Sequence, residues 1–471
     1  MPDETPAAPT ADPADGRGTA QRPVTFRDVF AVGEYRAVYL ALLVNWLGEY
    51  LSRAAITVLV FQQTNSVLLS AASFAISYLP WIVGGPVLAA LAERYPYRRV
   101  MIACDVARMT LIALFVVPGL PVAVMLAVLF LVMLASPPTQ AARSALLPQL
   151  LSRDQLVVAL AVNGTTGQAA QVIGYFAGAT LAAAANPRLA IGAVAVAYAI
   201  SAVLVAVGVR QRPAASAGRT RTHLLRETAQ GFDIVFGNRV LRSIALLAIS
   251  ITIFAIVPEG LAAAWAAETS HGTASRGFDQ GMIMAAGPVG WVIGGLVVSR
   301  FVATSRRQSL IRPLAVVAPL ALVLSVTAPS APVVALLTMV SGVAQGGLIP
   351  TLNSLFVLAL RHGYRARAFA VIQGGMQLAQ GFAVLSTGAL ATHARVPIVV
   401  GLWSVGGTLL MGGLVVGWPN AAVFDRAISA AAADVPVPQT APDGSTEVAP
   451  PNGGRARSEE QRPAPQPGAI G

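Results

Sequence analysis

The sequence predicts an all-α, polytopic membrane protein: twelve transmembrane helices arranged as two pseudo-symmetric six-helix halves. Three observations predict it. The first is composition. Of 471 residues, 55% are hydrophobic and only 11% are charged, against roughly 25% charged in a soluble domain, and the mean hydropathy is +0.66. The second is the recurrence of apolar stretches long enough to cross a bilayer, whose core of about 30 Å takes roughly 20 helical residues. The third is charge placement. All 32 basic residues are Arg, and they sit in short clusters between the apolar runs. That pattern sets membrane topology rather than building a basic face for nucleic acid, which is not expected as a partner.

Taken in order, the chain opens with a tail over residues 1–35, too poor in apolar side chains to offset the entropy of ordering. It lacks the apolar stretch of a cleaved signal. Six spans follow at about 37–62, 66–92, 98–117, 121–142, 155–185 and 188–209, giving a first half over 36–210. Residues 211–240 make the longest connection. In "HLLRETAQGFDIVF" the side chains Leu225, Phe232 and Phe236 fall near one helical face, which predicts a short helix on the membrane surface; a solvated linker is the alternative. The second half, 241–420, holds spans at about 241–267, 279–300, 308–328, 332–358, 367–392 and 396–418. A Pro- and Gly-rich tail over 421–471 is expected to be unstructured.

With both termini inside, nineteen arginines fall in inner connections, Arg143 and Arg153 among them. The outer connections hold three: Arg188, Arg276 and Arg395. This bias places the termini in the cytoplasm. Other chemistry is excluded by what the chain lacks. The single Cys104 allows no intrachain disulfide. With no Lys there is no phosphate-binding Gly-x-x-x-x-Gly-Lys loop. The four His are scattered, so neither a metal site nor a catalytic triad is expected. No cofactor and no enzymatic activity are expected.

The charges that remain inside the spans carry the functional reading. In "VNWLGEYLSRA", Asn45, Glu49 and Arg53 are spaced four apart and share a helical face. Charge facing lipid is expensive, so that face points into the bundle. Counted from Arg36 at 1.5 Å per residue, Asn45 lies about 14 Å deep and Glu49 about 20 Å. Two readings stand for Glu49. It pairs with Arg53 to fasten an outer gate, or it binds a proton or a cationic substrate in a central cavity. In the third span Asp105 and Arg108 are three apart and meet on one face, either as a structural pair or with Arg108 tuning a nearby carboxylate. Glu259, flanked by Pro258 and Gly260, predicts a local helix break and is read either as an outer-gate residue or as a plain helix-end solubiliser. Trp46, Tyr50, Trp81, Tyr175, Trp265 and Trp291 are candidates to line an aromatic cavity.

Two echoes relate the halves: "ERYPYRR" to "SRFVATSRR", and "PPTQAARSALLP" to "IPTLNSLFVLALR". The loop "AALAERYPYRR" resembles the signature that follows the second span in the major facilitator superfamily, with Glu93 in place of its Asp and with Arg94, Arg98 and Arg99 kept. Nearly everything between the tails resembles the drug:proton antiporter and siderophore-exporter branch. The stretches are "LGEYLSRAAITVLVFQQTNS", "RRVMIACDVAR", "ARSALLPQLLSRDQL", "VPEGLAAAWAAE" and "RARAFAVIQGG". The resemblance implies the major facilitator fold. It also implies proton-coupled efflux of a small, partly apolar molecule by a monomer in the bacterial inner membrane, with protons, substrate and lipid as partners. It makes Glu93, Arg94, Arg98 and Arg99 candidate state-locking residues, with enforcement of topology as the alternative for the three arginines. The embedded charges themselves add Arg53 and Glu259 as gate candidates and Glu49, Asp105, Arg108 and Asn45 as the candidate coupling set. One departure leaves uptake open. In "GYFAGA" Tyr175 stands where antiporters often carry Pro, although Gly174 and Gly178 keep a small-residue face. A non-transporting scaffold is the remaining alternative.

Overall fold

The computed structural model describes residues 24–83, 88, 94–184, 186–213, 224–270, 272–360 and 365–433. The chain enters through a short helix, α1 (Phe26–Phe30), whose first turn is closed by Thr25 donating from its backbone N–H and hydroxyl to the Asp28 carboxylate. Val29 is buried against Tyr35, Leu147 and Leu151. The amino-terminal tail therefore gains structure from residue 24, ahead of the boundary expected at 35, because this one apolar side chain finds a groove.

Helix α2 (Gly33–Thr64) runs unbroken until Asn65 adopts a left-handed conformation, φ 49°. The Ser66 hydroxyl then accepts from the Leu69 N–H to start α3 (Val67–Ala75). A turn leads to α4 (Leu79–Val83), and most of the remainder of the expected second span lies outside the described residues. Pro96 precedes α5 (Tyr97–Ala113). The fourth span is α6 (Val122–Leu134) continued at a kink by α7 (Ser136–Leu150). Pro137 and Pro138 lack the N–H that would carry the ladder across Ala135, and the span reaches well past its expected end near residue 142. Then come α8 (Arg153–Ala184) and α9 (Pro187–Gly208).

Residues of the central connection form α10 (Leu224–Gly237), where Phe232 stacks on Phe236 and Val235 is buried. Asn238 accepts from the N–H groups of Val240 and Leu241 and opens α11 (Arg239–Ala255). The expected break occurs at Ile256, ahead of Pro258, and the span resumes as α12 (Val257–Thr269). The last long helices are α13 (Thr273–Phe301), α14 (Ile311–Val323), α15 (Ala331–Ala359), α16 (Arg365–Leu390) and α17 (Val396–Val416). The carboxy-terminal tail was expected to be unstructured from residue 421. Instead Ala421–Ala433 forms α18, with Phe424 buried and its ring 5.5 Å from Trp418.

Among the described residues, nine helical runs are long and apolar enough to cross a membrane. The first three expected spans fall outside that set. Two of them, α2 and α5, carry the charged faces that the sequence points inward.

Small residues let the helices close. Gly178 of α8 sits against the Leu51 carbonyl of α2, and Gly346 of α15 against the Trp291 carbonyl of α13; a β-carbon at either position would enter the facing backbone. One apolar cluster joins the amino-terminal set of helices to the carboxy-terminal set. It brings Ala54, Phe74 and Tyr175 against Leu261, Trp265 and Ala383. The other clusters each draw on one side of residues 210–223 only. Among the described residues, the two sets thus share an apolar core at one end, away from the arginine-rich connections.

Candidate functional site: a central polar cavity

A cavity of about 320 Å³ lies between the two sets of helices beneath the shared apolar cluster. Asn45, Glu49 and Arg53 of α2 do share a face, and all three line it. Across from them are Glu259 of α12 and Gly287, Pro288 and Trp291 of α13. Arg108 of α5 and Arg143 of α7 complete its charged wall.

Two polar networks are built into the wall. In the deeper one, Asn45 donates from Nδ2 to Asp105 Oδ1 at 2.8 Å and accepts from Arg108 Nη1 at 2.9 Å. Arg108 Nη2 donates to the Ser136 hydroxyl at 2.7 Å, and the Ser201 hydroxyl donates to Asp105 Oδ2 at 2.6 Å. The Tyr198 ring lies 5.4 Å from the Arg108 guanidinium. Asp105 is 1% and Arg108 2% exposed. The direct Asp105–Arg108 contact expected from their spacing is not made, because the Asn45 amide stands between them and serves both. Its donor and acceptor ends match a carboxylate and a guanidinium, which is why an amide, and not another charge, occupies that place.

The second network lies nearer the apolar cluster. Arg53 Nη2 donates to Glu49 Oε1 at 2.6 Å, and the rings of Tyr50 and Tyr78 lie 5.5 and 5.6 Å from the Arg53 guanidinium. Arg53 is also the cation that faces Glu259. Glu259 is 7% exposed, with Oε1 packed against Gly287 and Oε2 lacking a hydrogen-bond partner. It sits in the cavity wall, not at an exposed helix end.

Trp46, Tyr50, Trp81 and Trp291 line the cavity as expected. Tyr175 and Trp265 do not. Both are wholly buried in the apolar cluster, where Tyr175 packs edge-on against Tyr50 at 5.2 Å between ring centres. Of the signature loop, Glu93 lies outside the described residues and Arg94 is exposed in a turn. Arg98 donates to the Ala206 carbonyl at the end of α9, and the Arg99 guanidinium reaches Gln211. Both contacts stay on the amino-terminal side of the molecule.

Two features escaped the sequence. Arg143 counts as a loop residue there, but α7 carries it into the cavity, 8% exposed, bonded to Gln140 at 2.6 Å and 5.4 Å from the Trp46 ring. Removing it leaves eighteen inner arginines against three, so the charge bias stands. The second is a ring of amides: Gln140, Gln168, Gln171, Gln345, Gln377 and Gln380, from four helices. A signal existed, since each is an uncharged polar residue inside or beside an apolar run.

At the sealed end, Gln280 of α13 donates to the Ala54 carbonyl and the Thr57 hydroxyl of α2, at 3.4 and 3.3 Å. This carries hydrogen bonding across the two sets of helices where the apolar cluster joins them.

A family model described as Major Facilitator Superfamily matches residues 38–384. No curated protein matches the chain in sequence. Solved structures do. One is a bacterial homolog to the human lysosomal transporter Spinster, in an inward-facing and unoccupied conformation. It has 12% identity and a TM-score of 0.59, over 86% of this chain and 99% of that one. A POT family transporter in complex with 5-aminolevulinic acid is similar at 11% identity and a TM-score of 0.63, over 82% of this chain and 96% of that one. The nucleoside transporter NupG is similar at 12% identity and a TM-score of 0.61, over 82% and 100%.

Proposed function

The chain belongs to the Major Facilitator Superfamily and is a multi-pass membrane transporter of that type; from that premise we propose that it couples proton movement to export of a small molecule by alternating access. One observation carries the reading. Arg53 is paired with Glu49 on α2, and Glu259 on α12 lies across the same cavity, where its Oε2 has no hydrogen bond of good geometry although the Tyr175 hydroxyl and the Arg53 cation face that carboxylate. That oxygen is an open place for a proton. A proton on either carboxylate changes the attraction that Arg53 exerts across the seam. A binding event that favours one arrangement of the helices shifts their populations.

In this reading the described state is inward-open, with the apolar cluster as the outer seal and the arginine-rich end in the cytoplasm with both termini. Asn45, Asp105 and Arg108 hold the wall against which the coupling pair moves. Glu93, Arg94, Arg98 and Arg99 act at the inner end when it closes. The protein works as a monomer in the bacterial inner membrane. Export rests on the resemblance of the sequence to drug and siderophore exporters. Uptake is the second reading, favoured by Tyr175 standing where an antiporter's Pro is expected.

The test is accumulation of dyes, antibiotics and siderophores in an efflux-deficient bacterium, with and without a protonophore. The intact protein lowers accumulation of its substrate and the protonophore restores it. Glu49→Gln and Glu259→Gln each abolish active export while leaving the amount of folded protein unchanged. Undiminished export by both variants removes this pair from the mechanism.

A further inference from the structure

Resting on the transport reading of this cavity, we infer that the transported molecule carries an acid group, a carboxylate or similar oxyanion, which Arg143 receives. Three guanidiniums line the cavity, and two already have a complement. Arg53 holds Glu49 at 2.6 Å. Arg108 is bonded at both terminal nitrogens, to Asn45 and Ser136, and Asn45 links it to Asp105.

Arg143 is different. Among the described residues no carboxylate lies within ion-pair distance of it, and its one hydrogen bond goes to the neutral amide of Gln140. The charged groups that face it are Arg108, Glu49 and Asp105, and each of the two carboxylates is engaged by another residue. A guanidinium at 8% exposure with no anion is costly to bury. It is held in place by Trp46, whose ring lies 5.4 Å away. The planar fork leaves donors free to take two oxygens of one acid group. Arg143 lines the central cavity, where a molecule held there would meet it.

The surroundings fix the rest of the molecule's chemistry. The walls include amides and indoles, which hydrogen-bond and stack, and among the described lining residues the other two guanidiniums are already engaged. A single acid group on a polar or aromatic body fits. A lipophilic cation would meet Arg143 as a like charge.

The experiment uses the full chain, purified in detergent and without any proton gradient, so that a failure of transport and a failure of this inference are separable. Thermal unfolding is followed with benzoate, benzamide and benzylammonium at matched millimolar concentrations. Benzoate raises the unfolding temperature and the other two do not. Arg143→Met, which keeps an unbranched stem over Trp46, weakens benzoate binding roughly 10- to 100-fold, the loss of one charge-assisted contact. Arg143→Lys keeps a charge without the fork and retains part of the effect. It carries the test if the Met variant does not fold. Stabilisation by benzylammonium or benzamide equal to that by benzoate overturns the inference. So does a benzoate effect undiminished in both variants, or none of the three ligands acting on the intact protein.

Discussion

At the scale of the residue, the embedded charges divide by whether their partners are local. Glu49 and Arg53 are one helical turn apart, and their pairing could be read from spacing. Asp105 and Arg108 are also close in sequence, yet their link runs through Asn45, sixty positions away, and no spacing rule reveals it. The amide is therefore the sensitive member. Asn45→Ala leaves a buried carboxylate short of a donor and a buried guanidinium short of an acceptor, and each such loss costs about 1–3 kcal/mol or more for charged groups. The expected result is a clear fall in the unfolding temperature of the purified protein. Asn45→Asp is expected to be worse than Ala, because it sets a second carboxylate 2.8 Å from the first. Retention of wild-type stability by Asn45→Ala would remove the network from the account. Arg143 was hidden for the opposite reason. The prolines before it suggest the end of a span, and only the kink at Ala135 shows that the helix continues and carries the side chain inward.

At the scale of the element, periodic apolar length was the most legible signal and its punctuation the least. The tenth span was legible in full. The start of the fourth was legible too, but its far end was not, since proline both ends helices and kinks them. Close approach is likewise invisible without a partner. Gly346 looks like any glycine in an apolar helix until α13 is seen to lie on it. Gly346→Val is expected to separate α13 from α15 and to lower the yield of folded protein severalfold, measured as the monodisperse fraction after extraction. The seal offers a gentler change. Gln280→Ala removes the bonds to Ala54 and Thr57, and the population should move toward outer-open. Spin labels at Gln63 and Thr392, with Cys104 replaced by Ser, would read this as a gain of longer distances. An unchanged distribution would assign the seal to its apolar side chains alone. Outside the membrane, Glu34 ties the start of α2 to the segment after α9 through Arg212, at 2.8 Å. The hydrogen bond from Arg212 holds the Glu34 carboxyl below the usual carboxylate range. Its contribution to stability is therefore present above that range and is lost as pH falls through the lowered value. Glu34→Gln should lower stability at neutral pH and match the intact protein under strong acid, as followed by unfolding temperature against pH.

At the scale of the whole molecule, the charges in and behind the cavity balance. Among the described residues, Glu49, Asp105 and Glu259 stand against Arg53, Arg108 and Arg143, so with every group ionised the empty site is formally neutral. Reorienting the helices around an unbalanced buried charge is unfavourable unless the membrane potential drives that charge across. A bound proton adds one positive charge and an acid-bearing substrate one negative. If the two move together the loaded site stays neutral, and the cycle is indifferent to membrane voltage. If they move alternately, as export requires, each crossing carries a charge. One proton inward for one monoanion outward then transfers two charges per turnover, each worth about 2.3 kcal/mol at 100 mV. The direction of transport is thus readable as electricity. In proteoliposomes with no pH gradient, the export reading predicts that a potential negative on the cytoplasmic side speeds benzoate exit and that substrate addition evokes a current. Electroneutral flux, with no current and no response to a potassium diffusion potential, would transfer the reading to uptake. That result would give Tyr175, in place of the antiporter's proline, a functional meaning. On either result Glu259 stays the proposed place for the proton and Arg143 the proposed place for the acid group, because both assignments rest on which groups lack a charged partner in the cavity and not on the direction in which it opens.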